Sequence, residues 1–89
     1  MTGIELIAQE RAEQLEKHNR TIWEDVKKND NYHLARGAVA LINGDRKGFS
    51  PYWDRKTCQH MIDKSYRDRL IIAGALIAAE IDRIQFIHV

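Results

Sequence analysis

An all-α fold, a small bundle of three to four helices forming one domain over residues 1–89, follows from three features of this 89-residue chain. Apolar residues recur at spacings of three and four in several stretches. Most of those stretches open on a helix-capping pattern. No stretch alternates apolar and polar residues in the way a convincing strand would.

The final stretch carries the strongest constraint. Between Arg67 and Arg83 the sequence reads RDRLIIAGALIAAEIDR, with ten uncharged residues, Leu70 to Ala79, held between charged ends. A helix apolar on most of its circumference needs neighbours on most sides. A domain of this size has few to offer, and association is a common remedy for so small a core. The bundle is therefore expected to be completed by homo-oligomerisation, as a dimer or larger, with polar groups at the subunit seam forming the functional site.

The remaining elements follow in order. Thr2 and Glu5 have capping-box spacing, which starts a first helix from about Gly3 to His18. Ile4, Ile7, Ala8 and Leu15 form its apolar stripe, with Glu10, Glu13, Glu16 and Lys17 toward solvent. Arg11, Gln14 and His18, three and four apart, share one edge beside that stripe. Residues 19–31 are polar, with Thr21 and Glu24 spaced to cap a short turn. Asp30 or Asn31 starts a second helix burying Leu34, Ala35, Ala38, Leu41 and Ile42, and Gly44 ends it, since a left-handed terminal residue is cheapest as glycine. Gly44 to Pro51 reads as a loop. Asp54 caps a short third helix to about Asp63 that buries Met61 and Ile62, and Ser65 with Asp68 opens the last one.

Composition narrows the function classes. A net charge of +1 from 14 basic and 13 acidic residues gives no global attraction to duplex nucleic acid. The lone Cys58 allows neither an intrachain disulfide nor a zinc motif and suits a reducing, cytoplasmic setting. The opening MTGIELIAQER is acidic and amphipathic, unlike a signal peptide, and the Leu70 to Ala79 run is about half of a membrane span.

Three constellations bear on chemistry. Glu10, Glu13 and Glu16 put carboxylates on neighbouring helical turns, as all-α magnesium-dependent nucleotide pyrophosphohydrolases require, but such enzymes need a second acidic pair. Glu80 and Asp82 do not supply it, because residues two apart diverge by about 200° around a helix. A solvated acidic face is the plainer account of these glutamates. Arg11, Gln14, His18 and Thr21 instead form a one-sided polar edge able to grip an anion and read a sugar or base; equally, Arg11 could pair with a carboxylate on the last helix and His18 could end its own. Trp23, Tyr52 and Trp53 lie among polar loop residues, where an aromatic face can stack on a base or plug a bundle end. Plugging is preferred for Tyr52, and Trp53 is kept as a ligand candidate. Arg67 and Arg69 at the start of the last helix oppose its dipole, which calls for an acidic residue or a phosphate nearby. Gly74 with Ala78, and Ala75 with Ala79, would let another helix approach closely. No spacing of His33, His60 and His88 argues for a metal, and neither Ser50 nor Ser65 has a paired base.

The stretches ERAEQLEKHNRT and YRDRLIIAGALIAAEIDRIQ resemble a set of small proteins of bacteriophages and prophages with an E-R-x-x-Q-x-x-x-H-G-x-T pattern near the start and an A-G-A-L-I-A-A-E-I-D-R pattern near the end. The match runs through Glu10, Arg11, Gln14, His18, Thr21, Trp53, Asp68 and Ala73 to Arg83, and departs at Asn19, where glycine is usual. Proteins of this look are sometimes labelled similar to nucleotide pyrophosphohydrolases, and phage-encoded oligomers of comparable size sequester cyclic or ADP-ribose-derived immune signals. The resemblance thus implies a nucleotide-like ligand more than catalysis. The expectation is a non-enzymatic anti-defence protein of the host cytoplasm that needs no cofactor or metal. It would bind its ligand through Arg11, Gln14, His18, Thr21, Trp23, Trp53 and Arg69, with Arg11 and Arg69 neutralising phosphate. A magnesium-dependent pyrophosphohydrolase using Glu10, Glu13 and Glu80 is the runner-up. An adaptor that inhibits a host enzyme is the third alternative; it predicts an exposed apolar patch.

Overall fold

The computed structural model describes residues 1–17 and 32–87, and within them the chain is all-α. The described elements are α1 (Gly3–Lys17), α2 (His33–Asn43), a 3₁₀ turn (Arg46–Gly48), α3 (Arg55–Ile62) and α4 (Tyr66–Ile87). No strand occurs among the described residues, and no described helix is long and apolar enough to cross a membrane. The expected Thr21 turn lies outside the described residues, and α2, expected to start at Asp30 or Asn31, begins at His33 with Tyr32 as its N-cap, in the left-handed region at φ 62° and without a side-chain cap bond.

The capping chemistry read from sequence is present. The Thr2 backbone N–H donates to Glu5 Oε1 at 2.9 Å, and the Glu5 N–H donates to Thr2 Oγ1 at 3.2 Å. These bonds, the backbone one foremost, hold the Glu5 carboxyl below its ordinary range. Asp54 caps α3 by accepting from the Thr57 N–H at 2.9 Å and the Thr57 hydroxyl at 2.8 Å, which lowers its carboxyl in the same way. Ser65 Oγ accepts from the Asp68 N–H at 3.2 Å at the start of α4. Gly44 ends α2 in the left-handed region at φ 69°, its N–H donating to the Ala40 carbonyl.

The core lies between α2 and α4, the most extensively packed pair, with α1 packing along α4. Leu34, Ala38 and Leu41 of α2 meet Ile72, Ala73, Leu76 and Ala79 of α4, and Phe49 and Cys58 close the cluster. Met61 and Ile62 of α3 pack against it as expected. Burial also pushes the Cys58 thiol up from its ordinary value. Phe49, fully buried inside a loop-like stretch, has no periodic signal that would have marked it as core.

Two helix faces sit differently from their sequence expectation. In α2 the buried arc includes His33, Gly37 and Ala40, while Ile42 lies at its edge and remains 41% exposed. In α1 the expected stripe dissolves: Ile4 is 83% exposed, Ala8 and Leu15 face solvent, and Arg11 and Gln14 are the buried positions. The register is set by Gly74 on α4, where an added Cβ would fall 2.5 Å from Ile7 Cδ1. Seating Ile7 against that glycine turns Arg11 and Gln14, four and seven residues on, inward with it.

The small-residue spacing on α4 thus does admit a second helix. Its other side is bare: Leu70, Ile77, Ile81 and Ile84 are 38–50% exposed within the single chain. They fall within about 60° of one another around the helix axis.

Candidate functional site

A groove of about 510 Å³ opens between α1, α3 and α4. Glu10, Glu13 and Gln14 line it from α1; Thr57, His60 and Met61 from α3; and Ile72 and Leu76 from α4. Trp53 and Lys64, just before and just after α3, complete the lining. An adjoining hollow of about 300 Å³ shares Glu10, Glu13, Lys64 and Ile72 and extends to Arg67 and Asp68. Of the three glutamates expected on a solvated face, Glu10 and Glu13 therefore line the concave surface, while Glu16 is exposed as expected.

Trp53 is positioned by three local devices. The Arg55 guanidinium donates from Nε to the Trp53 carbonyl at 3.0 Å and from Nη2 to the same oxygen at 2.8 Å, and Nη2 also donates to the Ser50 carbonyl. The Ser50 hydroxyl accepts from the Tyr52 N–H at 3.2 Å. The indole then packs beside Phe49, ring centroids 5.8 Å apart, and over Gly37, where an added Cβ would sit 2.7 Å from two indole carbons. Gly37 is a helix-interior glycine whose use is this close approach. Trp53 is therefore at once a packed residue and part of the groove lining.

The other predicted site residues divide. Gln14 is buried, reaches the groove, and donates from Nε2 to Glu10 Oε2 at 3.4 Å. Arg11, 8% exposed, pairs with Asp82 of α4 at 3.3 Å, the ion-pair arrangement that was one of its two sequence alternatives. Arg69 donates from Nη1 to the Leu41 carbonyl at 3.0 Å, and its guanidinium lies 5.5 Å from the Tyr66 ring centroid. Its charge meets the carbonyl end of α2, which resolves the dipole conflict expected at the start of α4 without a phosphate. Asp82 is 13 residues from Arg69, about 20 Å along α4, so Arg11 and Arg69 are not brought to one anion. His18, Thr21 and Trp23 lie outside the described residues. Tyr52, expected as a plug, is 84% exposed and meets His33 edge-on at 5.8 Å.

Glu80, offered with Glu10 and Glu13 for the runner-up metal enzyme, and Asp82 beside it are both engaged within the fold. Glu80 is buried and hydrogen-bonded by Arg83 Nε, one turn further along α4. Asp82 is engaged by Arg11, and no group of three or more His, Cys, Asp or Glu side chains among the described residues comes together to hold a metal. Sequence reasoning missed Gly37, Arg55, His60 and Lys64. The isolated glycine inside α2 was the one available signal; the others gain their roles only from the placement of α3.

Fold and groove together define a small all-α domain with a mixed-charge, aromatic-floored hollow. Comparison with protein-family profiles, with curated proteins and with solved structures returns no match.

Proposed function

We propose that this protein binds a nucleotide-derived small molecule in the groove containing Trp53 and holds it without turnover, acting as a homo-oligomeric sequestering protein. The observation that carries the reading is that Gln14 and Trp53, 39 residues apart in sequence and both singled out as ligand contacts, line one groove. Trp53 offers a face for a base, worth about 1 to 3 kcal/mol in stacking. Glu10 and Glu13 accept hydrogen bonds from amino or ribose hydroxyl groups, and Lys64 with Arg67 neutralises phosphate. Three carboxylates, Glu10, Glu13 and Asp68, face these two permanent cations across the groove and its adjoining hollow. That balance favours a ligand of low negative charge, a cyclic nucleotide before an ADP-ribose derivative and either before a triphosphate. With the phage-type resemblance, such binding would serve anti-defence in the cytoplasm of an infected cell.

Isothermal titration with cyclic mononucleotides, cyclic dinucleotides and ADP-ribose tests the proposal. Binding to a cyclic nucleotide is expected, weakened about 10-fold by Trp53→Leu through lost stacking. Lys64→Glu should weaken it comparably without unfolding an exposed site. No heat with any of the three classes at millimolar ligand defeats the reading. Steady pyrophosphate release from a nucleoside triphosphate with Mg²⁺ would instead make the protein a pyrophosphohydrolase.

A further inference from the structure

The outer face of α4 carries a row of exposed apolar side chains over four turns. Leu70, Ile77 and Ile84 are spaced by seven and Ile81 lies four beyond Ile77, while Gly74, at the edge of this row, is already covered by Ile7 of α1. The charged residues of α4 lie elsewhere: Glu80 and Arg83 are buried together, Asp82 turns to Arg11, and Arg67 stands at the helix start beside Asp68 at 2.9 Å. The four exposed side chains amount to roughly 300 Å² of apolar surface, within the size at which an exposed patch marks an interaction site.

We propose that this stripe is where two copies of the chain pair, with their α4 helices antiparallel about a two-fold axis beside Ile77. The proposal rests on the self-association part of the preceding reading and not on its ligand. Ile77 lies midway between Leu70 and Ile84, so an antiparallel copy places Leu70 on the partner's Ile84, and Ile77 on the partner's Ile77. A two-fold interface must be self-complementary in this sense. Direction follows from charge. Parallel helices would set Arg67 against the partner's Arg67, whereas antiparallel ones keep these two cations at opposite ends of the seam. Packing from Leu70 to Ile84 runs about 21 Å along the helix. So short a seam lies at the small end of specific interfaces, and association no tighter than micromolar is expected.

The pairing also relocates the site. Ile72 and Leu76, the α4 residues lining the groove, lie roughly 110 to 150° around the helix from the centre of the stripe. The groove therefore opens away from the seam, each copy carries its own, and ligand stoichiometry is one per chain whether or not the copies are paired.

Sedimentation equilibrium of the full chain is expected to give twice the mass of one chain at about 100 µM, dissociating toward the single mass on dilution. Ile77→Glu should raise the dissociation constant by on the order of a hundredfold or more, since a buried unpaired charge would lie on the axis. The milder Ile77→Ser with Ile81→Ser should act in the same direction, and circular dichroism confirms that helix content is kept in both. Orientation is read by oxidation with copper phenanthroline, with the unaltered chain and its buried Cys58 as control. Ile77→Cys should form a disulfide-linked pair, Leu70→Cys alone should not, and a mixture of Leu70→Cys with Ile84→Cys should. A single-chain mass at 100 µM, a paired mass indifferent to these substitutions, or self-linkage of Leu70→Cys overturns the proposal. Pairing without ligand binding would remove the ligand reading and leave this one intact, and binding by a single chain would do the reverse.

Discussion

Leu76 and Ile77 are neighbours in sequence and nearly equal in hydrophobicity, yet the first is 2% exposed and the second 45%. Leu76 faces the groove and the α2 core, on the same side as the buried Ala73 and Ala79. Ile77 belongs to the bare stripe. The difference teaches that apolar character alone did not define the core of this protein. The side of α4 taken by α2 and α1 did, and the opposite side was left with side chains no water-facing helix needs.

The largest expected effect sharpens this contrast directly. Leu76→Ala should cost about 3 kcal/mol and lower the melting temperature by roughly 15 °C. Ile77→Ala, measured where the chain is unpaired, should stay within about 0.5 kcal/mol. Equal losses in dilute thermal melts would break the distinction between the two faces. Next in size is Gly37→Ala. Helix propensity favours alanine by about 1 kcal/mol. The new methyl would nevertheless meet the indole of Trp53 at 2.7 Å and Leu76 at 3.2 Å. The clash should win, giving a net loss of about 1 to 2 kcal/mol and an altered tryptophan emission as Trp53 moves. A stabilised variant with unchanged emission would show that Trp53 is not seated on α2.

Arg69→Met should cost about 1 to 2 kcal/mol by leaving the Leu41 carbonyl without its charged donor. It should leave nucleotide affinity unchanged, because Arg69 serves the end of α2 and not the groove. A large loss of affinity in titration would return it to the site. The smallest effect is expected from acid. Glu5 and Asp54 have carboxyls lowered by their cap hydrogen bonds. Their contribution is complete near neutral pH, where both are ionised, and is lost as pH falls through and below the ordinary carboxylate range. Glu5→Gln and Asp54→Asn, which remove the titrating carboxylates, should flatten that acid-side decline slightly, and an unchanged pH profile of the melting temperature would show that the ionised caps contribute nothing.

Most helix ends were legible because each is written locally, the start of α2 at the uncapped Tyr32 being the exception. Thr2 with Glu5, Asp54 with Thr57, Ser65 with Asp68, and Gly44 place donor, acceptor or left-handed turn within a few residues of where it acts. Faces were less legible. The α1 stripe was expected through Ile4, Ala8 and Leu15, but docking of Ile7 on Gly74 brought the polar edge of Arg11 and Gln14 inward. The candidate site was half visible: Gln14 and Trp53 reach one groove, Arg11 and Arg69 are taken by Asp82 and by the end of α2, and His60 and Lys64 could be found only once α3 was placed.

The sequence by itself determined the all-α architecture, the caps that bound its helices, and the excess of apolar surface on the last one, since all of these depend on spacings within a few turns. Which surface of each helix became interior, which arginines were used as structural partners, and which residues share the groove were decided only by the tertiary structure. Those outcomes depend on a glycine on one helix accepting a side chain from another, and no local spacing records which partner will arrive.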